Sequence, residues 1–169
     1  MSTHASGEEP GPAAGARIRI AGPTDAELVT RLLHDFNTEF DCPGPDPDRD
    51  VPRIERLLNR DDVLVVVATT DPGGHDVGIA SLTLRPTAYW DGPLAHLEDL
   101  YVRPDLRSRG VGAALLDRAR AEVHARGALE LHIIVDDADV DARRFYERNG
   151  FSHLDPDSGS GMRLFLRQL

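Results

Sequence analysis

The sequence contains no lysine: all 19 of its basic residues are arginine. Chemistry that needs a lysine amine is therefore excluded for this chain, Schiff-base catalysis and the Walker-type phosphate lysine among it. The absence itself reads most simply as a coding bias. There is a single cysteine, Cys42, so no intrachain disulfide can form. It sits among the turn formers of FDCPGPDPD and reads as a free thiol, which suits a reducing compartment. The longest apolar run, VLVVVA, is far too short to span a bilayer. The first residues, MSTHASGEEPGPAAGA, lack the basic start and apolar centre of a signal peptide. A cytoplasmic location is the expectation. No His/Cys spacing suggests a metal site, and no metal is expected.

Positive charge is also scarce overall. A formal net charge of −10 disfavours broad contact with nucleic acid or with an anionic membrane, since both need basic surface. It leans toward a cationic small molecule. At 169 residues, 40% hydrophobic and 28% charged, the composition is that of a soluble globular domain.

The pattern along the chain alternates between strand and helix periods. Residues 1–16, rich in Gly, Pro, Ala and Glu, are expected to be a disordered tail, with one domain over 17–169. RIRIAG is a first strand. In PTDAELVTRLLHDFNTEF, Thr24 and Glu27 have capping-box spacing, and Leu28, Leu32, Leu33, Phe36 and Phe40 recur at helical spacing. After the loop DCPGPDPDRD, VPRIERLLNR is a second helix with proline in its first turn. DVLVVVATT, VGIASLTLRP and LAHLEDLYV are strands separated by the turns DPGGHD and TAYWDGP. A helix from Val111 to Arg126 ends at Gly127. ALELHIIV is a fifth strand, and a helix in DADVDARRFYERNG stops at Gly150. FSHLD and MRLFLRQL read as a closing pair of strands. Three consecutive strands imply an antiparallel meander. The strand-helix-strand unit from residue 94 to 135 implies a right-handed parallel crossover. The expected class is α+β, a mixed and mostly antiparallel sheet of about seven strands with about four helices.

The stretch RSRGVG stands directly before the third long helix. The first amides of a helix have no partner within it and lie at its positive pole. Gly110 and Gly112 keep side chains clear, and Arg107 and Arg109 add charge-assisted donors. The set suits a pyrophosphate; equally, such a nest can simply cap a helix.

Arg107, Gly110 and Gly112 fill the pattern Arg/Gln, two residues, Gly, one residue, Gly/Ala. This stretch resembles the acetyl-CoA-binding signature of the GNAT superfamily of N-acetyltransferases. LEDLYVRPDLR resembles that family's strand and approach loop, and DARRFYERNGF is similar to its second hallmark, a helix with an aromatic-Tyr pair ending in Gly-Phe. The resemblance runs over roughly residues 17–168. It implies a GNAT-like fold whose fourth and fifth strands splay apart, with the pantetheine arm of acetyl-CoA in the gap. It further implies that the backbone of Leu100 and Val102 holds pantetheine and that Arg107, Ser108, Arg109, Gly110, Val111, Gly112 and Ala113 hold the pyrophosphate. Acetyl-CoA would be the cosubstrate, a small-molecule or peptide amine the acceptor, and a homodimer is compatible with the family.

Tyr146 stands where the family keeps a tyrosine. A phenol beside the developing thiolate can donate its proton as the C–S bond breaks. Asp139 occupies a position where relatives often carry Asn; it either contacts the cofactor or caps the helix. An amine protonated at neutral pH must lose a proton before attack. Glu98 on the fourth strand is the candidate base or amine anchor, with His132 and water as alternatives. Strand alternation sends Asp99 to the opposite face from Glu98 unless a bulge intervenes. Tyr89 and Trp90 either pack on the acceptor or close a hairpin. The expected activity is amine acetylation by direct attack in a ternary complex. The alternatives are an acyl-CoA sensor without turnover and, last, a nucleotide-binding regulator.

Overall fold

The computed structural model describes residues 15–70 and 75–167. The expected disordered tail therefore lies almost entirely outside the described residues, as does most of the turn at 71–76. The chain divides into two compact units, one through His132 and one from Ile133.

In the first unit, β1 (Ala16–Ile20), β2 (Val63–Thr70), β3 (Asp76–Pro86) and β4 (Pro93–Val102) pair antiparallel in that order. β5 (Leu131–Ile133) follows β4 at the edge, completing a mixed, open five-stranded sheet. β2 is apolar along its length because both of its faces are covered. On one face Val65, Val67, Ile79 and Tyr101 pack with Val29 and Leu32 of α1 (Ala26–Glu39) and Ile54 of α2 (Val51–Leu58). On the other, α3 (Val111–Ala125) buries Val111, Leu115, Leu116, Ala119 and Val123. There the absence of a side chain at Gly78 is required: a Cβ would lie 2.5 Å from the Tyr101 carbonyl oxygen and 3.2 Å from Leu115.

The start of α1 differs from expectation. Thr24 and Glu27 do not form the capping box. A 3-10 turn, Pro23–Asp25, precedes the helix, and Asp25 accepts the Gly22 amide at 2.8 Å and pairs with Arg19 at 2.6 Å. The carboxylate one residue later reaches both an orphan amide and a cation, so it wins the position. Phe40, expected on the apolar face, is 53% exposed just beyond the helix.

The second unit holds α4 (Val140–Arg148), which ends at Gly150 with φ 84° as its composition suggested. The sheet has five strands among the described residues, not about seven. In place of strands at FSHLD and the MRLFLRQL segment there is an isolated bridge between Leu154 and Gly161, the last residue of the connecting PDSGSG, with Met162 N–H donating to the His153 carbonyl at 2.8 Å. A lone two-stranded pairing is marginal without a third strand or an apolar face to cover. Here Phe165 is 91% and Leu166 84% exposed; the last two residues of the segment lie outside the described ones.

Candidate functional site

The centre of β4 is irregular, and the irregularity falls on the predicted acid. Leu97 faces Leu82 and Asp99 faces Ser81, which leaves Glu98 as the extra residue of a β-bulge. Ser81 Oγ donates to Asp99, and Thr83 Oγ1 donates to Glu98. Ser81 and Thr83 are two apart on β3 and share a face. Glu98 and Asp99 therefore share it too, contrary to the simple alternation expected from the sequence. It is the face covered further along by α1 and α2. Glu98 is exposed and Asp99 half-buried. Burial pushes the Asp99 carboxyl up, the Ser81 hydrogen bond opposes this, and the neighbouring Glu98 charge adds to the rise. Asp99, Ser81 and Thr83 were missed as a group because strand register sets the hydroxyls opposite β4 and only the bulge puts both carboxylates on their face.

Leu100 and Val102 follow on β4, both partly exposed. β5 is three residues long against ten in β4, so β5 cannot pair with most of that edge. Beyond Val102 a 3-10 turn (Pro104–Leu106) leads into extended Arg107, then Ser108 at φ 60° and Gly110 at φ 81°. Left-handed Gly110 is the N-cap of α3, and no side chain caps the helix. Ala114 N–H takes the Gly110 carbonyl at 3.0 Å, which leaves Val111, Gly112 and Ala113 as the first-turn amides that helix geometry cannot satisfy internally. Residues 107–110 are exposed and Val111 is buried beneath them. The geometry is a cradle of backbone donors at a positive helix pole, open to solvent.

The Arg107 side chain is turned elsewhere. Its Nε donates to the Val102 carbonyl at 2.8 Å, its Nη2 to Glu39 of α1 at 2.7 Å, and the guanidinium lies 5.8 Å from the Tyr101 ring centroid. The expected charge-assisted donor to a phosphate is thus committed to α1 and β4, while Arg109 is exposed. Glu39 escapes sequence inspection because it is 68 residues from its partner.

His132 is exposed, with its ring 2.8 Å from Glu130, so it is not a core histidine. Trp90 Nε1 donates to the Pro93 carbonyl at 3.2 Å, closing the β3–β4 connection, and Tyr89 is 89% exposed. Cys42 is an exposed free thiol. Among the described residues no cluster of His, Cys, Asp or Glu could hold a metal ion, and no helix is long and apolar enough to cross a membrane.

In the second unit, Asp139 accepts the Ala142 amide at 2.9 Å, the N-capping role open to it in the sequence. Tyr146 is the buried residue of α4, with ring contacts to Phe145 at 5.2 Å and Phe151 at 5.6 Å. The Phe151 amide returns to the Tyr146 carbonyl at 3.0 Å, which fixes the helix end around it.

Four helices and a mixed open sheet make an α+β fold of the GNAT type, in which a bulged β4 feeds the glycine-opened start of α3. Residues 29–151 match the acetyltransferase (GNAT) family, and the chain belongs to that family and is an N-acetyltransferase. Among solved structures, a protein of Arthrobacter sp. FB24 provisionally assigned as an acetyltransferase is 40% identical, with a TM-score of 0.81 over 99% of this chain and 100% of that one. An aminoglycoside acetyltransferase, meta-AAC0020, from an uncultured soil metagenomic sample and in complex with sisomicin, is 22% identical, TM-score 0.75, over 92% of this chain and 97% of that one. The aminoglycoside N-acetyltransferase AAC(6')-Iy in complex with CoA is 21% identical, TM-score 0.72, over 91% and 94%. The last two share the fold.

Proposed function

We propose that the chain moves the acetyl group of acetyl-CoA to a primary amine by direct attack in a ternary complex, as one catalytic domain over 17–169. The observation that carries this is the run from the Glu98 bulge, through β4, to the left-handed Gly110 that opens α3. The bulge presents two carboxylates beside backbone that can bond a pantetheine arm, and the next loop ends in unsatisfied amides suited to a diphosphate. The short β5 supports the expected gap beside β4.

In this reading Leu100 and Val102 bond pantetheine through their backbone, and residues 107–113 seat the diphosphate mainly through backbone N–H groups. Glu98 anchors the incoming amine or accepts its proton, directly or through water; His132 remains the alternative base. As the amine nitrogen bonds to the acetyl carbon, the C–S bond breaks and CoA leaves as a thiolate. By the family resemblance, Tyr146 gives that sulfur its proton, and the phenolate regains one from solvent. Asp139 serves as the cap of α4. The net negative charge and the exposed Glu98 favour a small cationic amine, and the sisomicin-bound fold relative has an acceptor of that kind. The protein works in the cytoplasm without metal, nucleic acid or membrane, and a homodimer fits the family.

The test is calorimetry with acetyl-CoA, followed by chromatographic detection of CoA release against a panel of amines. Thiol-reactive dyes are avoided because Cys42 is exposed. Micromolar binding with amine-dependent CoA release is expected. Binding without release by any amine would make the chain a CoA-binding module, and no binding at millimolar cofactor would remove the reading.

A further inference from the structure

Arg31, Asp35 and Glu39 lie four residues apart on α1 and form one stripe of the helix. Each is ion-paired with the end of the sheet or with the loop before α3 that begins there. Arg31 pairs with Asp76 at 3.1 Å, Asp35 with Arg103 at 2.9 Å and Glu39 with Arg107 at 2.7 Å. Arg103 ties in further, its Nε donating to the Asp76 carbonyl at 2.6 Å. The last pair reaches the loop itself. Arg107 is held on three sides, by Glu39, by the Val102 carbonyl and by the Tyr101 ring.

Arg107 is also the last extended residue before Ser108, a non-glycine residue in the left-handed region at φ 60°. Such a conformation persists only where its surroundings fix it. Backbone bonds from Leu106 N–H to the Arg103 carbonyl and from Arg107 N–H to the Pro104 carbonyl shape the turn before Ser108, the Arg107 side chain ties the loop to its surroundings, and Glu39 is the anchor that lies outside the loop and β4. Backbone donors bind an anion well only if they are held in place beforehand, because ordering them on binding costs affinity.

We infer that Glu39 is a positioning residue for the diphosphate seat: through Arg107 it holds residues 107–113 in the shape that receives the cofactor. The inference rests on the reading of those residues as that seat. Glu39 touches no reacting atom, so its loss acts on cofactor affinity and leaves the chemical step alone. The Arg107 guanidinium accordingly serves the seat by bracing it, and the seat's donors are backbone amides.

The full-length protein and its Glu39→Ala and Glu39→Gln variants are titrated with CoA, and the parent also with pantetheine, which lacks the diphosphate and the adenosine 3′-phosphate beyond it. Kinetics with acetyl-CoA and the best acceptor amine follow, with thermal unfolding as the check on folding. The parent binds CoA at least about tenfold more tightly than pantetheine, a margin that includes the charge-assisted bonds to the diphosphate. Glu39→Ala weakens CoA binding by about fivefold, the upper end for a half-exposed ion pair. Its KM for acetyl-CoA rises to match while kcat stays within about twofold. Glu39→Gln loses less, since its amide oxygen still accepts from Arg107 Nη2, and it carries the same test if the alanine variant does not fold. Unchanged CoA affinity in both variants overturns the inference, and so does tighter binding, which would show that the carboxylate competes with the diphosphate. A parent that binds pantetheine as tightly as CoA removes the seat itself, an outcome separable from any effect at Glu39.

Discussion

Glu98 and Asp99 are neighbours on one strand, yet their carboxylates lie on the same face of the sheet, each held by a hydroxyl of β3. A regular strand would point them to opposite faces. The bulge inserts Glu98 between the Leu82–Leu97 and Ser81–Asp99 pairs and resets the alternation. Two acids with different surroundings result: Glu98 exposed, Asp99 half-buried and pushed toward its protonated form.

Glu98→Gln is expected to lower kcat/KM for the amine by about 100-fold, the lower range for loss of an acid or base group. His132→Ala should change it little. Steady-state rates with the amine varied decide; a loss of that size in the histidine variant with Glu98→Gln near parental would transfer the role to His132.

Asp99→Asn tests the burial of that carboxyl through stability. A carboxyl whose folded value is raised contributes most below the ordinary carboxylate range, and that contribution is lost as pH rises through the folded value. The asparagine variant escapes this loss. It should therefore melt above the parent at pH 7, and the gap should close as pH falls below about 4. A gap that widens on acidification would show Asp99 to be a stabilising carboxylate instead.

Tyr146→Phe removes a phenol and keeps the ring contacts with Phe145 and Phe151. With acetyl-CoA, kcat should drop by about 100-fold or more while CoA affinity stays parental. Thioesters of more acidic thiols, which leave without a proton, should recover most of the rate. Parental turnover with acetyl-CoA across pH 6–9 is the result that ends the acid role.

Two glycines separate stability from cofactor binding. Gly110→Ala places a side chain at φ 81° and should cost about 1–2 kcal/mol, with a matching loss of CoA affinity as the loop relaxes. Gly78→Ala drives a Cβ against the Tyr101 carbonyl oxygen, which is backbone and cannot swing away. A cost of about 2–3 kcal/mol is expected, with the folded fraction still binding CoA. Urea melts and calorimetry at one temperature distinguish the two patterns.

The succession of elements through α4 was legible from residue order, because periods of 2 and 3.6 are set by near neighbours along the chain. VLVVVATT is a strand covered on both faces, and Gly127 and Gly150 end their helices in left-handed conformations. The sequence by itself also showed the glycine-opened start of α3 and the capping carboxylate of Asp139, since both depend on residues within one turn. Where two local options competed, it misjudged: Thr24 and Glu27 had the spacing of a capping box, but Asp25 had the partners. The closing strands needed a sheet edge that their own residues do not supply, and only one bridge formed. Tertiary structure alone decided the register that puts Glu98 and Asp99 on one face, and it alone turned Arg107 toward a carboxylate on α1. Pairing across a sheet, and between a helix and a distant loop, depends on which backbones come to lie side by side. Spacing within a single segment carries no record of that.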